Sequence, residues 1–367
     1  MDERLLRILE SAIRAPSADN RMPIRFAVSP GQIDVIAADS SFEPDRGYRH
    51  VLATLSLGAV AESMDIAARD GGFEPEIRLT GAFGAGDTLL QVTLPRADVG
   101  PEPLARFISA RHTNRRPIYR GPPLSEHERG EIEATAARFQ PGLSLTWLNE
   151  KELRRKAVRL IGTAETERFR NRALHAELFS AIRFDKGWHA SCEEGLPPGA
   201  LAVEPPLRPF FSVLRHWPVM RAANLLGMHR LLGLRSAALP CRIAPDLAVL
   251  AVETVNKAAV FAAGRAFMRI WLQITGMGRV LQPLPASALY ALEGAEGEDV
   301  SVALQHRLRR GWTPILSERI PLMMIRLGKA SVTKVLAGHP APPYTVEDAP
   351  QNTPEASEIA VEKFYRA

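Results

Sequence analysis

The chain has 367 residues, 46% hydrophobic and 24% charged, with a formal net charge of +5. That length exceeds what one core usually serves and predicts two lobes; the modest positive charge, carried mostly by arginine, does not single out nucleic acid as a partner. Cys192 and Cys241, the two cysteines, form neither a CxxC pair nor a zinc-ligand spacing, which argues against a metal site and a disulfide framework and fits a cytoplasmic protein.

The N-terminal stretch carries acids early and lacks an apolar signal core, and no uncharged apolar run is long enough to cross a bilayer, so no transmembrane segment is expected. Apolar residues at helical spacing predict a helix over 4–15, stopped by Pro16. Two short extended stretches follow over 24–38, broken by Ser29-Pro30-Gly31, and a second helix over 51–70, ended by Gly71-Gly72. Small residues at Gly58, Ala59 and Ala61 suit that helix to close packing. Residues 77–79 and 88–94 read as strands, with the glycine-rich 81–86 as the turn between them.

A Pro-bearing stretch, 95–103, separates the first lobe (1–100) from the second (101–336). In the second, helices are predicted over 103–110, 125–138, 150–160 and 256–275. Strands are predicted over 143–148, 246–252 and 320–327, and 279–283 reads as an extended exit from the long helix. The two lobes read as similar modules within an α+β fold. From 337 to 367 the chain reads as an extended or disordered tail.

Residues 201–244 stand apart. Eight cationic or histidine side chains, from Arg208 to Arg242, alternate with aromatic and aliphatic ones, and no acid lies between Glu204 and Asp246. Such a basic amphipathic insertion is readable as a solvated, packed insertion, as a lid over a site, or as a membrane-surface element. Gly227 and Gly233 argue against one continuous helix.

Two segments carry the chemistry. Pro16-Ser17-Ala18-Asp19-Asn20 is a polar turn after a helix; Ser and Asn offer donors and acceptors to a heterocycle edge, although the same residues make ordinary turns. Arg111-His112-Thr113-Asn114-Arg115-Arg116 places two guanidiniums four residues apart, which repel unless an anion lies between them; a solvated basic loop is the plain alternative.

In this order on one chain, the pair resembles the FMN-binding segments of the nitroreductase family, a flavin-ring turn and a phosphate-binding segment. The first lobe lacks the phosphate part and the second lacks the ring part. The arrangement is therefore similar to the tandem, Acg-like branch, in which one chain forms a pseudo-dimer and one FMN sits between the lobes. Ala263-Gly264-Arg265 through Gln273, with Gln282-Pro283-Leu284, resembles the family's central helix and the loop beside the flavin face, and Met324 to Gly328 its last strand. The likeness touches most of 1–330. It departs at Met22-Pro23-Ile24, where the family usually has Gln-Pro-Trp. It departs again at Ala341-Pro342-Pro343-Tyr344, which lacks a family arginine that Arg326, Lys329 or Lys334 would have to replace.

The resemblance implies an FMN-dependent NAD(P)H oxidoreductase acting on nitroaromatic or quinone-like acceptors, able to work as a monomer, with chemistry carried by flavin N5 and no essential side-chain acid, base or nucleophile. Pro16, Ser17, Ala18 and Asn20 would meet the ring; Arg111, His112, Thr113 and Arg115 the phosphate and ribityl chain; and Gln282, Pro283 and Leu284 one face, with Arg326 in support. The alternative is an FMN storage or sensor protein whose flavin is covered by the insertion.

Overall fold

The computed structural model describes residues 2–44, 47–98 and 100–346. Helix α1 (Glu3–Ile13) starts on an Asp2 cap, whose side chain accepts from Arg4 N at 2.9 Å, and ends just before Pro16. Strands β1 (Ile24–Ser29) and β2 (Gln32–Ala37) form a hairpin in which Phe26 faces Val35. Helix α2 (Gly47–Asp70) follows, then β3 (Glu76–Leu79) and β4 (Thr88–Thr93), joined by the expected glycine-rich turn.

The next regular elements are α3 (Glu126–Phe139), begun by a Ser125/Glu128 capping box, β5 (Ser144–Trp147), α4 (Lys151–Arg170) and α5 (Arg172–Ala181). The insertion is a chain of short helices: α6 (Arg208–Val213), α7 (Trp217–Leu225), α8 (Met228–Gly233), one π turn and α9 (Leu239–Ile243). Gly227, left-handed at φ 83°, breaks α7 from α8. Then come β6 (Asp246–Val252), α10 (Lys257–Gly276), β7 (Val280–Leu284), α11 (Ala286–Leu289), α12 (Val302–Leu316), β8 (Ile320–Gly328) and β9 (Tyr344–Val346).

Two sheets result. One has the order β3-β4-β2-β1-β9, antiparallel except for β1 with β9; the other is β5-β6-β8-β7, wholly antiparallel. Pro283 is tolerated because β7 is an edge strand. One core joins α1, most of α2 and the first sheet; the other joins α3, α4, α10, α12 and the second sheet. Helix α2 feeds both, with Val51 and Leu55 in one and Leu57 to Met64 in the other, so it is apolar almost all round. By length and composition α2 is able to cross a membrane, but it is buried along nearly its whole length.

Helices α2 and α10 cross at a pair of glycines. A Cβ on Gly264 would lie 2.1 Å from the Leu55 carbonyl oxygen, and one on Gly58 2.1 Å from that of Phe261. Here glycine is needed for backbone approach rather than for its torsional freedom.

Two expectations need correction. The helix expected over 103–110 is a single 3-10 turn, Ala105–Phe107. Tertiary pairing overrides local propensity: Phe107 packs against Gly276, and Asn114 N donates to Leu281 O at 3.1 Å, drawing the chain out along β7. The helix expected over 150–160 runs ten residues further, to Arg170. Of the two readings of the tail, its start takes the extended one, with Phe26 paired to Tyr344 and Val28 to Val346; the rest of it, 347–367, lies outside the described residues.

Candidate functional site

Four stretches of chain converge on one cavity of about 810 Å³. The first is the turn after α1. Asp19 and Asn20 both adopt left-handed torsions, φ 52° and 57°, a conformation Asp and Asn tolerate better than most residues. The turn is held from outside: both amide hydrogens of Asn20 are committed, to the carbonyls of Glu193 (3.0 Å) and Gly338 (3.1 Å), and Asn20 O accepts from Gly195 N at 3.3 Å. Asn20 therefore presents an acceptor, not a donor, for any further partner.

The second stretch is 111–116. Thr113 bridges Leu281, and the buried Asn114 side chain donates to Ser331 O at 3.0 Å while accepting from Arg116 N at 3.1 Å. These bonds fix the arginine segment beside β7, the third stretch, and bring Arg111, His112, Thr113 and Arg115 to the same cavity as Gln282, Pro283 and Leu284. Pro16, Ser17, Ala18 and Asn20 also line it. The fourth stretch is the start of the tail: Leu336, Ala337 and His339.

Arg326 is the exception among the residues singled out by sequence. It is wholly buried behind the wall, where its Nε donates to Gln282 Oε1 (2.8 Å), its Nη1 and Nη2 to the carbonyls of Pro117 (3.2 Å) and Arg116 (2.6 Å), and its guanidinium lies 4.0 Å over Tyr119. It has no reach to a ligand. By holding the Gln282 oxygen it leaves the Gln282 NH₂ as the end available for donation.

The charge pattern on this wall is unusual. Arg111 is buried, stacks 4.5 Å over Trp271 and donates to Arg14 O, yet its Nε has no partner. Burial lowers its pKa to about 10, with no carboxylate close enough to offset the effect. Arg115 is also lowered by burial, with Asp19 pulling the other way. The His112 Nε2 is buried without a partner. Burial, then the nearby Arg111 and Arg14, push His339 down to about 4, so it is neutral at pH 7. A buried cation whose Nε–H has no partner suits an anion.

A second polar group was not legible in the sequence. Asp19, Glu165, Arg168, Glu177, Tyr48 and Tyr290 also line the cavity. Burial pushes the Tyr290 hydroxyl up to about 12 and also raises Asp19, despite Arg168, Arg115 and Arg21. Arg168 is opposed by burial, but Glu165, Tyr290, Asp19 and Glu177 outweigh it and hold its pKa above the usual range. Glu165 and Arg168, 3.5 Å apart, look in sequence like an ordinary helical i,i+3 pair.

The insertion supplies an apolar wall from Leu207, Phe210, Phe211, Leu214, Met228 and Leu231. Phe211 also joins Phe179 and Phe184 in an aromatic cluster, and His175 Nε2 donates to the Leu214 carbonyl oxygen at 2.9 Å.

No family model matches this chain, and no curated protein matches it. It is similar in part to solved structures. The FMN-dependent nitroreductase NfnB from Mycobacterium smegmatis, in complex with NADPH, is 16% identical over 62% of this chain and 86% of its own, with a TM-score of 0.34. A nitroreductase with bound FMN from Bacteroides fragilis is 13% identical over 62% and 89%, at 0.33. A BluB-like flavoprotein from Clostridium difficile is 12% identical over 70% and 96%, at 0.35.

Proposed function

We propose that this chain is an FMN-dependent NAD(P)H oxidoreductase of nitroreductase type, with 1–100 and 101–336 acting as the two lobes of a pseudo-dimer, working in the cytoplasm on flat, electron-poor acceptors such as nitroaromatics or quinones. Arg111 supports this most directly: a buried guanidinium with no acid beside it, on the wall of a cavity that the Ser17–Asn20 turn also lines. A phosphate supplies the missing counter-charge, and the cavity is large enough for a flavin and a stacked partner.

In this reading Arg111 and Arg115 neutralise the phosphate, the Thr113 hydroxyl serves its oxygens or the ribityl chain, and His112 Nε2, an acceptor because Nδ1 donates to the Ala110 carbonyl, takes a ribityl hydroxyl. Ser17 and the Asn20 carbonyl meet the ring edge, and Gln282, oriented by Arg326, donates to it. Pro283 and Leu284 border one face. When bound, FMN supplies the two-electron chemistry between nicotinamide and acceptor. The protein's part is to bind, orient and exclude water; the apolar insertion wall serves the last of these.

The visible spectrum of the purified protein tests cofactor binding. A stoichiometric flavin band is expected in the natural protein and a strongly reduced one after Arg111→Ala and Arg115→Ala together; full retention removes the phosphate assignment. A second reading, an FMN storage or sensor protein, is favoured by the insertion residues on the cavity wall. Anaerobic NADPH distinguishes the two: bleaching supports the enzyme, and a persistent flavin band the binder.

A further inference from the structure

Exposed large apolar side chains are concentrated in one part of the molecule. Among the described residues, ten of the sixteen lie between Leu207 and Ile243, within the insertion. Leu225 and Leu226 are 87% and 91% exposed, side by side where Gly227 turns α7 into α8. Along the helices, Leu231 and Leu234 lie three residues apart, and Leu239 and Ile243 four apart, so each pair shares a face. Interspersed with them are Arg215, Arg221, Arg230 and Arg242, all exposed and, among the described residues, without an ion pair. No acid interrupts the sequence from Pro205 to Pro245.

From this surface we infer that the insertion docks the protein on an anionic lipid bilayer, with Leu225 and Leu226 entering the headgroup boundary and the arginines pairing with lipid phosphates. Leaving this many leucines in water is unfavourable, and a patch of this kind marks an interaction site. The charge identifies the occupant. A twofold contact with a second copy would set an acid-free arginine face against itself, which is repulsive. An anionic bilayer satisfies both the apolar and the cationic residues, because arginine stems lie along apolar surface while their heads reach phosphate. The helices are too short to span a bilayer, so the element lies on the surface.

The docking face is continuous with the mouth of the cavity. Leu207, Phe210 and Leu231 are each about half exposed and also line the cavity wall. Docking therefore brings the opening next to the lipid, whatever the cavity holds. On the flavin reading, this favours lipid-soluble acceptors.

Flotation of the full chain with phosphatidylcholine vesicles, with and without phosphatidylglycerol, tests the docking. Binding is expected on the anionic vesicles alone, weakening as salt is raised. Leu225→Asp with Leu226→Asp should abolish it, and Arg221→Gln with Arg230→Gln should reduce it by about tenfold. All four positions are exposed, so circular dichroism should be unchanged in both variants. The inference is overturned by absence of binding, by binding that survives the leucine substitutions, or by a dimer in light scattering that those substitutions dissolve. Each is read without reference to flavin content, so failure here leaves the cofactor assignment standing, and a colourless protein that floats leaves the docking standing.

Discussion

The molecule treats its buried charges in two opposite ways. At the α2–α10 crossing, Glu62 is fully buried but answered by Arg265 at 2.9 Å and by Arg269, with Asp65 beside them. Asp246, equally buried, accepts from Leu124 N, Arg129 and Asn149. On the cavity wall, Arg111 is buried with no acid at all. A buried charge left alone is strongly unfavourable; Arg326, also without an acid, has its donors met by Gln282 and the carbonyls of Arg116 and Pro117, whereas Arg111 keeps an unpartnered Nε, so the satisfied sites belong to the fold and Arg111 to a ligand. The same contrast holds for packing: the helix crossing admits not even a Cβ, whereas about 810 Å³ is left open beside it.

The largest effect is expected where pairing is complete. Glu62→Ala leaves Arg265 and Arg269 only their longer contacts to Asp65 and Glu102 and should cost about 3 kcal/mol in urea unfolding. Next, Gly264→Ala forces α2 and α10 apart and should cost about 1–3 kcal/mol. Arg111→Met is the sharper comparison. It removes a charge that has no internal partner, so stability without ligand should hold or rise, while FMN affinity in a fluorescence titration should fall by about tenfold to a hundredfold. Should Arg111→Met instead unfold the protein as readily as Glu62→Ala, the distinction between the two sites collapses. Arg115→Met should weaken FMN less, because Asp19 already offsets part of that charge.

The smallest effect concerns His339. Its folded pKa, about 4, lies below the unfolded value near 6.5. Between those values the unfolded chain binds the extra proton, so stability falls as pH drops through that window and is flat above it. The unfolding free energy from urea titration should decline between about pH 7 and about pH 5 by about 1 kcal/mol more in the natural protein than in His339→Gln. Equal declines would show that His339 is not the group that titrates.

Much of this was legible in the sequence because it is locally encoded. Pro16 stops a helix, Asp and Asn accept left-handed torsions, and a buried run such as 246–252 is readable without its neighbours. The meeting of the turn with the arginine segment was legible only through their joint resemblance to a known family. The rest depends on tertiary packing. Nothing local marks Glu165, Arg168 and Glu177 as cavity residues, since that follows from how α4 and α5 dock. Arg326 resembled a ligand-facing cation, and only the carbonyls of Arg116 and Pro117 explain why it points inward. The three exposed residues of β9, Tyr344, Thr345 and Val346, favour a strand by type, but so short a run becomes one only with the open edge of β1 to receive it.

That short strand has a mechanical consequence. The chain leaves the second sheet, forms cavity wall at Leu336 to His339, and is anchored beyond by Phe26 N donating to Pro343 O at 2.9 Å. The wall is thus strapped at two places, by the three-residue pairing of β9 and by Gly338, whose O accepts from Asn20 Nδ2 at 3.1 Å and whose N donates to Cys192 O at 2.8 Å. Ligand exchange through this wall should therefore keep pace with amide exchange at Gly338 and Phe26 together, making those two hydrogens a clock for the cavity.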